Sequence, residues 1–187
     1  MKRLFDLLLA LMLLVPATLL SIIAGFAIWW ECRRSPLYVQ IRVGRHQQPF
    51  KLLKLRTMRP GTMSQASHEV SQDAILNIGH WLRRAKLDEL PQVWNVLAGT
   101  MSFVGPRPCL PFQEELIRER QARAVFELRP GITGIAQIKG VDMSTPRLLA
   151  ETDALYLGKW RLRRDLKLLL ATFAGHGAGD AVKRTTP

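Results

Sequence analysis

The sequence predicts an α/β domain, mostly helical with short strands, attached to an N-terminal apolar helix that enters a membrane. Three observations predict it. From Leu4 to Trp30 the only charged residue is Asp6. Helix-spaced apolar residues recur over 74–85, 91–98, 111–128, 146–157 and 160–173. Between the apolar run and these segments lie two short extended pieces, Leu37 to Val39 and Phe50 to Leu55, parted by Gly44 and Gln47-Gln48-Pro49.

The apolar run exceeds the roughly 20 residues that a spanning helix needs. A secretory signal fits the Lys2-Arg3 start, but its apolar core is normally only about 7–15 residues. A simple span would set Trp29 and Trp30 at an interface, with Arg33 and Arg34 beyond it. A re-entrant helix fits Pro16, which removes a backbone hydrogen bond and kinks the helix there. Each half, Leu4 to Val15 and Ala17 to Trp30, is about 20 Å long, short of a hydrocarbon core of about 30 Å. Lys2 and Arg3 before the run and Arg33, Arg34, Arg42 and Arg45 after it leave neither end with the look of a translocated one. These points favour re-entry, although proline also occurs in ordinary spanning helices. The expected organisation is a membrane unit over 1–33, a domain over 34–173 and a Gly-rich, disordered tail over 174–187.

Within the domain, residues 60–73 are polar and read as a surface loop. Pro91 suits the first turn of its helix and Gly99 the end. The segment 160–173 sets Leu162, Leu166, Leu169 and Leu170 beside Arg161, Arg163, Arg164 and Lys167. It reads equally as a helix lying in a membrane interface or as a basic helix packed on the core.

The net charge of +12 is concentrated near the apolar run: residues 1–60 hold ten Lys/Arg against two acids. Near anionic headgroups each such cation contributes about 1 kcal/mol. Phosphate-bearing ligands, nucleic acid included, would also suit this charge, but no nucleic-acid-binding motif is present. Cys32 and Cys109 form no metal-ligand spacing and read as reduced thiols. His46, His68, His80 and His176 are scattered, and no P-loop, GxGxxG or GxSxG pattern occurs.

The chemistry concentrates between Arg83 and Pro108. Asp88 and Glu89 are adjacent, just before the helix start at Pro91. Neighbours within a helix diverge by about 100°, so a joint role needs a turn or a helix terminus, whose unpaired N–H groups also attract anions. A solvated pair that merely stabilises the helix dipole is the plainer alternative. Arg83, Arg84 and Lys86 precede the pair and Arg107 follows it. Such cations hold carboxylates ionised and bind phosphate, arginine often with two bonds. A carboxylate pair among arginines suits a diphosphate bridged by Mg²⁺, with one carboxylate left to attack phosphorus. Near Arg129, Gly131 and Gly134 permit close backbone approach to a ligand, or simply make turns.

These residues resemble a known family. KRLFD at 2–6, the Pro16 break, SPLYVQIRVG at 35–44, FKLLKLRTM at 50–58, LDELPQVWNVLAGTMSFVGPRP at 87–108 and RPGITGIAQIKG at 129–140 together resemble the bacterial sugar transferases of the monotopic phosphoglycosyl transferase type, in their minimal catalytic form. The resemblance covers nearly the whole chain. It implies a re-entrant helix with both ends on the cytoplasmic face of a bacterial inner membrane, and a catalytic domain lying on the membrane surface. It implies transfer of a sugar phosphate from a UDP-sugar to a polyprenyl phosphate, usually undecaprenyl phosphate, with release of UMP through an aspartyl phospho-sugar. By match of motif, Asp88 is the nucleophile and Glu89, beside it, a Mg²⁺ ligand, while Arg83, Arg107 and Arg129 contact phosphates. Val15 replaces a serine common before the membrane proline, and Ala85-Lys86 replaces small hydroxyl residues. Val141 follows Gly140 where the family commonly has arginine. These departures leave the sugar open, and the sequence neither requires nor excludes a homodimer. Two other classes stand beside this expectation, a membrane-anchored nucleic-acid binder and a scaffold whose acid pair only caps a helix.

Overall fold

The computed structural model describes residues 1–61, 74–158 and 160–175. The expected surface loop, from residue 62 onward, and the tail beyond 175 lie outside them. Helix α1, Lys2–Cys32, is a single helix with Pro16 inside it. Its buried stripe is narrow and made mostly of small residues: Asp6, Ala10, Ala17, Ala24, Gly25 and Ile28. The opposite face, including Leu4, Leu8, Leu11, Met12, Val15, Leu19, Ile22, Ile23 and Phe26, is exposed. A helix apolar all round is built for a non-aqueous environment.

Both ends of α1 are fastened to the same domain. At the start, Arg3 donates to the Val96 and Leu97 carbonyls at 2.6 and 3.0 Å. Lys2 Nζ bridges the buried carboxylates of Asp6 and Asp165 at 3.0 and 2.7 Å. At the far end, Glu31 accepts the backbone N–H groups of Asn77 and Ile78 at 2.8 and 3.1 Å. Those N–H groups open α2, Asn77–Arg84, so Glu31 supplies the cap that the local sequence lacks.

The extended pieces form an antiparallel hairpin, β1 Leu37–Val43 with β2 Pro49–Leu55, in register from Leu37↔Leu55 to Val43↔Pro49. Its turn uses left-handed backbone at His46 and Gln47. Helix α3, Gln92–Leu97, lies beside β2 and ends at Gly99, whose φ of +83° stops the helix as expected. Two strands were not foreseen: β3 Ser102–Val104 and β4 Gly131–Thr133 pair in parallel. Between them, the helix expected over 111–128 is shorter. Helix α4, Glu114–Ala122, is followed by left-handed Ala124 and a 3₁₀ turn over Val125–Glu127, because a residue at φ +56° cannot continue a helix. Helices α5 Ile135–Ile138, α6 Pro146–Ala154 and α7 Leu162–Phe173 complete the fold.

The core falls in three clusters. Ala10 and Ala17 of α1 pack with Phe50, Leu52, Val93, Val96 and Phe103. Ala24 and Ile28 pack with Leu55, Leu76 and Leu82. Val43, Cys109, Leu116, Ala136 and Leu149 form the third. The apolar helix is therefore part of the domain's own core.

Candidate active site

The acid pair lies on its own 3₁₀ turn, Leu87–Glu89, between α2 and α3, and not on the first turn of α3. Lys86 enters that turn in the left-handed region at φ +56°. Side chains tolerate this conformation poorly, and such strain gathers at functional sites. Asp88 and Glu89 are both buried, at 5% and 9% exposure. Buried carboxylates need cations or hydrogen bonds, so the solvated dipole-stabilising pair is ruled out for this turn.

Two cations converge on Glu89 Oε1. Arg107 Nη2 donates to it at 2.7 Å and Lys54 Nζ at 3.4 Å. Lys86 lies close enough for the charges of Glu89 and Arg107 to act on it, while burial pushes its ammonium below the usual lysine range. Its Nζ reaches the Thr172 carbonyl at 3.4 Å, joining the turn to α7. Arg83 Nε donates to Thr57 Oγ1 at 2.9 Å.

Each cation is placed by a backbone device. Asn95 of α3 accepts from Leu53 N–H at 3.0 Å and donates to the Lys51 carbonyl at 2.7 Å, which fixes the edge of β2 carrying Lys54. The Arg107 loop is fixed by β3 and β4: Gly105 N–H donates to Thr133 and Gly131 N–H to the Pro106 carbonyl, at 2.8 and 2.9 Å. A Cβ on Gly131 would lie 2.1 Å from the Gly105 nitrogen, and one on Gly134 2.3 Å from the Gly105 carbonyl oxygen. The glycines after Arg129 thus admit another backbone, not a ligand. From the other side, buried Arg120 donates to the Arg107 carbonyl at 2.9 Å and is itself held by Asp153 at 2.6 and 3.0 Å.

Of the residues singled out from sequence, the structure gathers Asp88, Glu89 and Arg107, with Arg83 on the adjoining helix. Arg129 donates to the Gly99 carbonyl at 3.0 Å, and its charged neighbours are Arg3, Arg45 and Asp6; Asp88 and Glu89 are not among them. Lys54 was missed, although a signal existed. Phe50, Leu52 and Lys54 alternate along β2 and are all buried, so strand periodicity points Lys54 inward.

No group of three or more His, Cys, Asp or Glu that could hold a metal occurs among the described residues. Asp88 and Glu89 alone fit the mode in which Mg²⁺ takes one or two protein carboxylates and completes its shell with substrate phosphate and water. His46 and His80 are exposed, and Cys32 and Cys109 are free thiols.

The sequence pattern of the bacterial sugar transferase family matches residues 1–177. A UDP-glucose:undecaprenyl-phosphate glucose-1-phosphate transferase of Caulobacter vibrioides is 37% identical over 182 residues, covering 91% of this chain and 67% of that protein. An uncharacterised sugar transferase of Bacillus subtilis is 35% identical, covering 99% and 91%. The undecaprenyl-phosphate galactose phosphotransferase of Salmonella typhimurium is 31% identical over 92% of this chain, which spans 39% of that longer protein.

Proposed function

Because this chain belongs to the bacterial sugar transferase family, we propose that it moves a sugar-1-phosphate from a UDP-sugar to undecaprenyl phosphate, releasing UMP. The observation that carries this reading is the buried Asp88-Glu89 pair beneath Arg107 and Lys54. An acid pair among cations suits a diphosphate that arrives with a divalent ion, which such carboxylates can hold. Relatives are named for glucose and galactose transfer, so UDP-hexoses are the first donors to test.

In the proposed course, an Asp88 carboxylate oxygen attacks the sugar-bearing phosphorus. The bond from that phosphorus to the bridging oxygen breaks, and UMP leaves with the electron pair. A phosphate oxygen of the polyprenyl phosphate then attacks the same phosphorus, and the Asp88 carboxylate departs. Arg107 and Lys54 hold Glu89 in place and offer positive charge where phosphate oxygens gather. Mg²⁺, held by Asp88 and Glu89, would supply charge neutralisation for the diphosphate.

Membrane residence is supported by α1, which is long and apolar enough to cross a membrane. A single crossing would carry one end away from the domain, yet Lys2, Arg3 and Glu31 are all bound to it. A helix fixed at both ends on one body, with its exposed face apolar, suits insertion into one leaflet from the cytoplasmic side.

The test uses full-length protein and a UDP-sugar labelled in the sugar-bearing phosphate, with no polyprenyl phosphate added. The expected result is protein-bound label that is absent from Asp88→Asn and discharged by polyprenyl phosphate. Turnover without label at position 88 would overturn the reading.

A further inference from the structure

Helix α7 carries a feature to which the proposed course of transfer gives no role. Arg161, Arg163, Arg164 and Lys167 line a cavity of about 640 Å³, together with Leu157 and Leu168. Arg161, Arg163 and Lys167 are exposed, and none has a hydrogen bond, ion pair or ring contact through its side chain among the described residues. The only acid on this helix, Asp165, is wholly buried and already accepts from Lys2, Tyr156 and Trp160 at 2.7, 2.6 and 2.9 Å. It points inward and does not neutralise the cavity. Arg164 is fixed differently: it lies 4.2 Å from the Tyr156 ring centroid and donates to the Tyr156 carbonyl.

Beside these cations, Leu162, Leu166, Leu170 and Phe173 form a stripe at helical spacing, 42% to 82% exposed. Asp165, Leu168, Leu169 and Thr172 face the domain instead. The helix thus presents apolar surface flanked by an uncompensated cationic cavity. A soluble anion would use the cations and leave the stripe in water. A membrane lipid with an anionic phosphate uses both.

We propose that the α7 cavity binds the phosphodiester headgroup of an anionic glycerophospholipid, with its acyl chains along Leu162, Leu166, Leu170 and Phe173. Because Lys86 of the acid-pair turn reaches the Thr172 carbonyl at the end of α7, the bound lipid would hold the helix that braces the catalytic turn. The site rests on the membrane-bound reading of the chain but not on the transfer chemistry, so the two can fail separately.

The test is native mass spectrometry of the full chain from neutral detergent, with dioctanoyl phosphatidylglycerol, dioctanoyl phosphatidylcholine or inorganic phosphate as probe. Saturable binding of phosphatidylglycerol is expected, weakened at least about tenfold in Arg161→Gln/Arg163→Gln/Lys167→Gln. It should be retained in Arg161→Lys/Arg163→Lys, which keeps the charge. Equal binding of phosphatidylcholine, displacement by millimolar phosphate, or no loss in the glutamine variant would each overturn the site. A raised KM for polyprenyl phosphate in that variant, with phosphatidylglycerol binding intact, would overturn the phospholipid assignment.

Discussion

Arg107 Nη2 stands 2.7 Å from Glu89 Oε1, and Lys54 Nζ approaches the same oxygen at 3.4 Å. Three elements far apart in sequence therefore meet at one carboxylate oxygen: strand β2, the 3₁₀ turn and the loop after β3. Two cations on one acceptor, beside the second buried carboxylate of Asp88, match the charge of the acid pair.

Arg107→Ala should lower UMP release on the order of 10²-fold, the usual loss when one donor aimed at developing charge is removed. Lys54→Met should act in the same direction. Because both groups meet Glu89, their effects should not multiply in the double variant. UMP release from all three variants, each checked for folding by circular dichroism, measures the coupling. A double loss equal to the product of the single losses would show that the two cations work independently.

If Asp88 and Glu89 hold Mg²⁺ with help from substrate phosphate, chelation should abolish UMP release and added Mg²⁺ should restore it. Thermal stability should barely change, because two carboxylates without further protein donors bind the ion weakly until the diphosphate arrives. Activity that persists after exhaustive chelation would remove the ion from the mechanism.

Much of this was legible in the sequence, for reasons that differ by element. Asp88-Glu89 and Arg107 stood out because charged groups crowd into a short stretch of chain. The later helices followed from their periodicity and the two extended pieces from the turn residues between them, although their pairing as a hairpin did not. The β3–β4 pair was not legible, since strands of three residues show no alternation and Ser102 finds Gly131 across a long stretch of sequence. Lys54 escaped because lysine is rarely buried, although its alternation with Phe50 and Leu52 along β2 turns its side chain inward. The roles of Gly131 and Gly134 could not be separated from turn-making until Gly105 was seen against them.

That contact gives a sharp contrast between two glycines. Gly131→Ala forces a methyl group against the Gly105 backbone and should destabilise by roughly 3 kcal/mol or more, taking the Arg107 loop and activity with it. Gly140→Ala meets no atom within 4 Å, and only its φ of +69° is strained. It should cost about 1 kcal/mol and leave turnover near the parent level. Thermal unfolding in detergent, beside UMP release, would separate them. Similar losses in both variants would contradict the packing argument.

Arg120 and Asp153 are 1% and 3% exposed and pair at 2.6 Å. Asp153→Leu strands a buried guanidinium and should destabilise by about 3–5 kcal/mol. Arg120→Met/Asp153→Leu removes both charges and should recover most of that stability. It cannot recover the bond from Arg120 to the Arg107 carbonyl, so kcat should stay depressed while the melting temperature returns. If kcat returned together with stability, Arg120 would have no positioning role.

Tyr156 tests the packing beneath α7 through pH. Burial pushes its phenol upward, and the Asp165 carboxylate that accepts its O–H at 2.6 Å pushes it further. In the unfolded chain a tyrosine ionises near pH 10. The folded state therefore keeps a proton that the unfolded state releases, so this contribution is complete below about pH 10 and declines as pH rises above it. Tyr156→Phe should be less stable than the parent at pH 8, having lost the bond to Asp165. Between pH 10 and 11.5 its stability should fall less steeply, and the difference between the two proteins should shrink. Melting temperatures of both proteins across that range decide the matter, and parallel curves would show that the phenol is not held protonated by its surroundings.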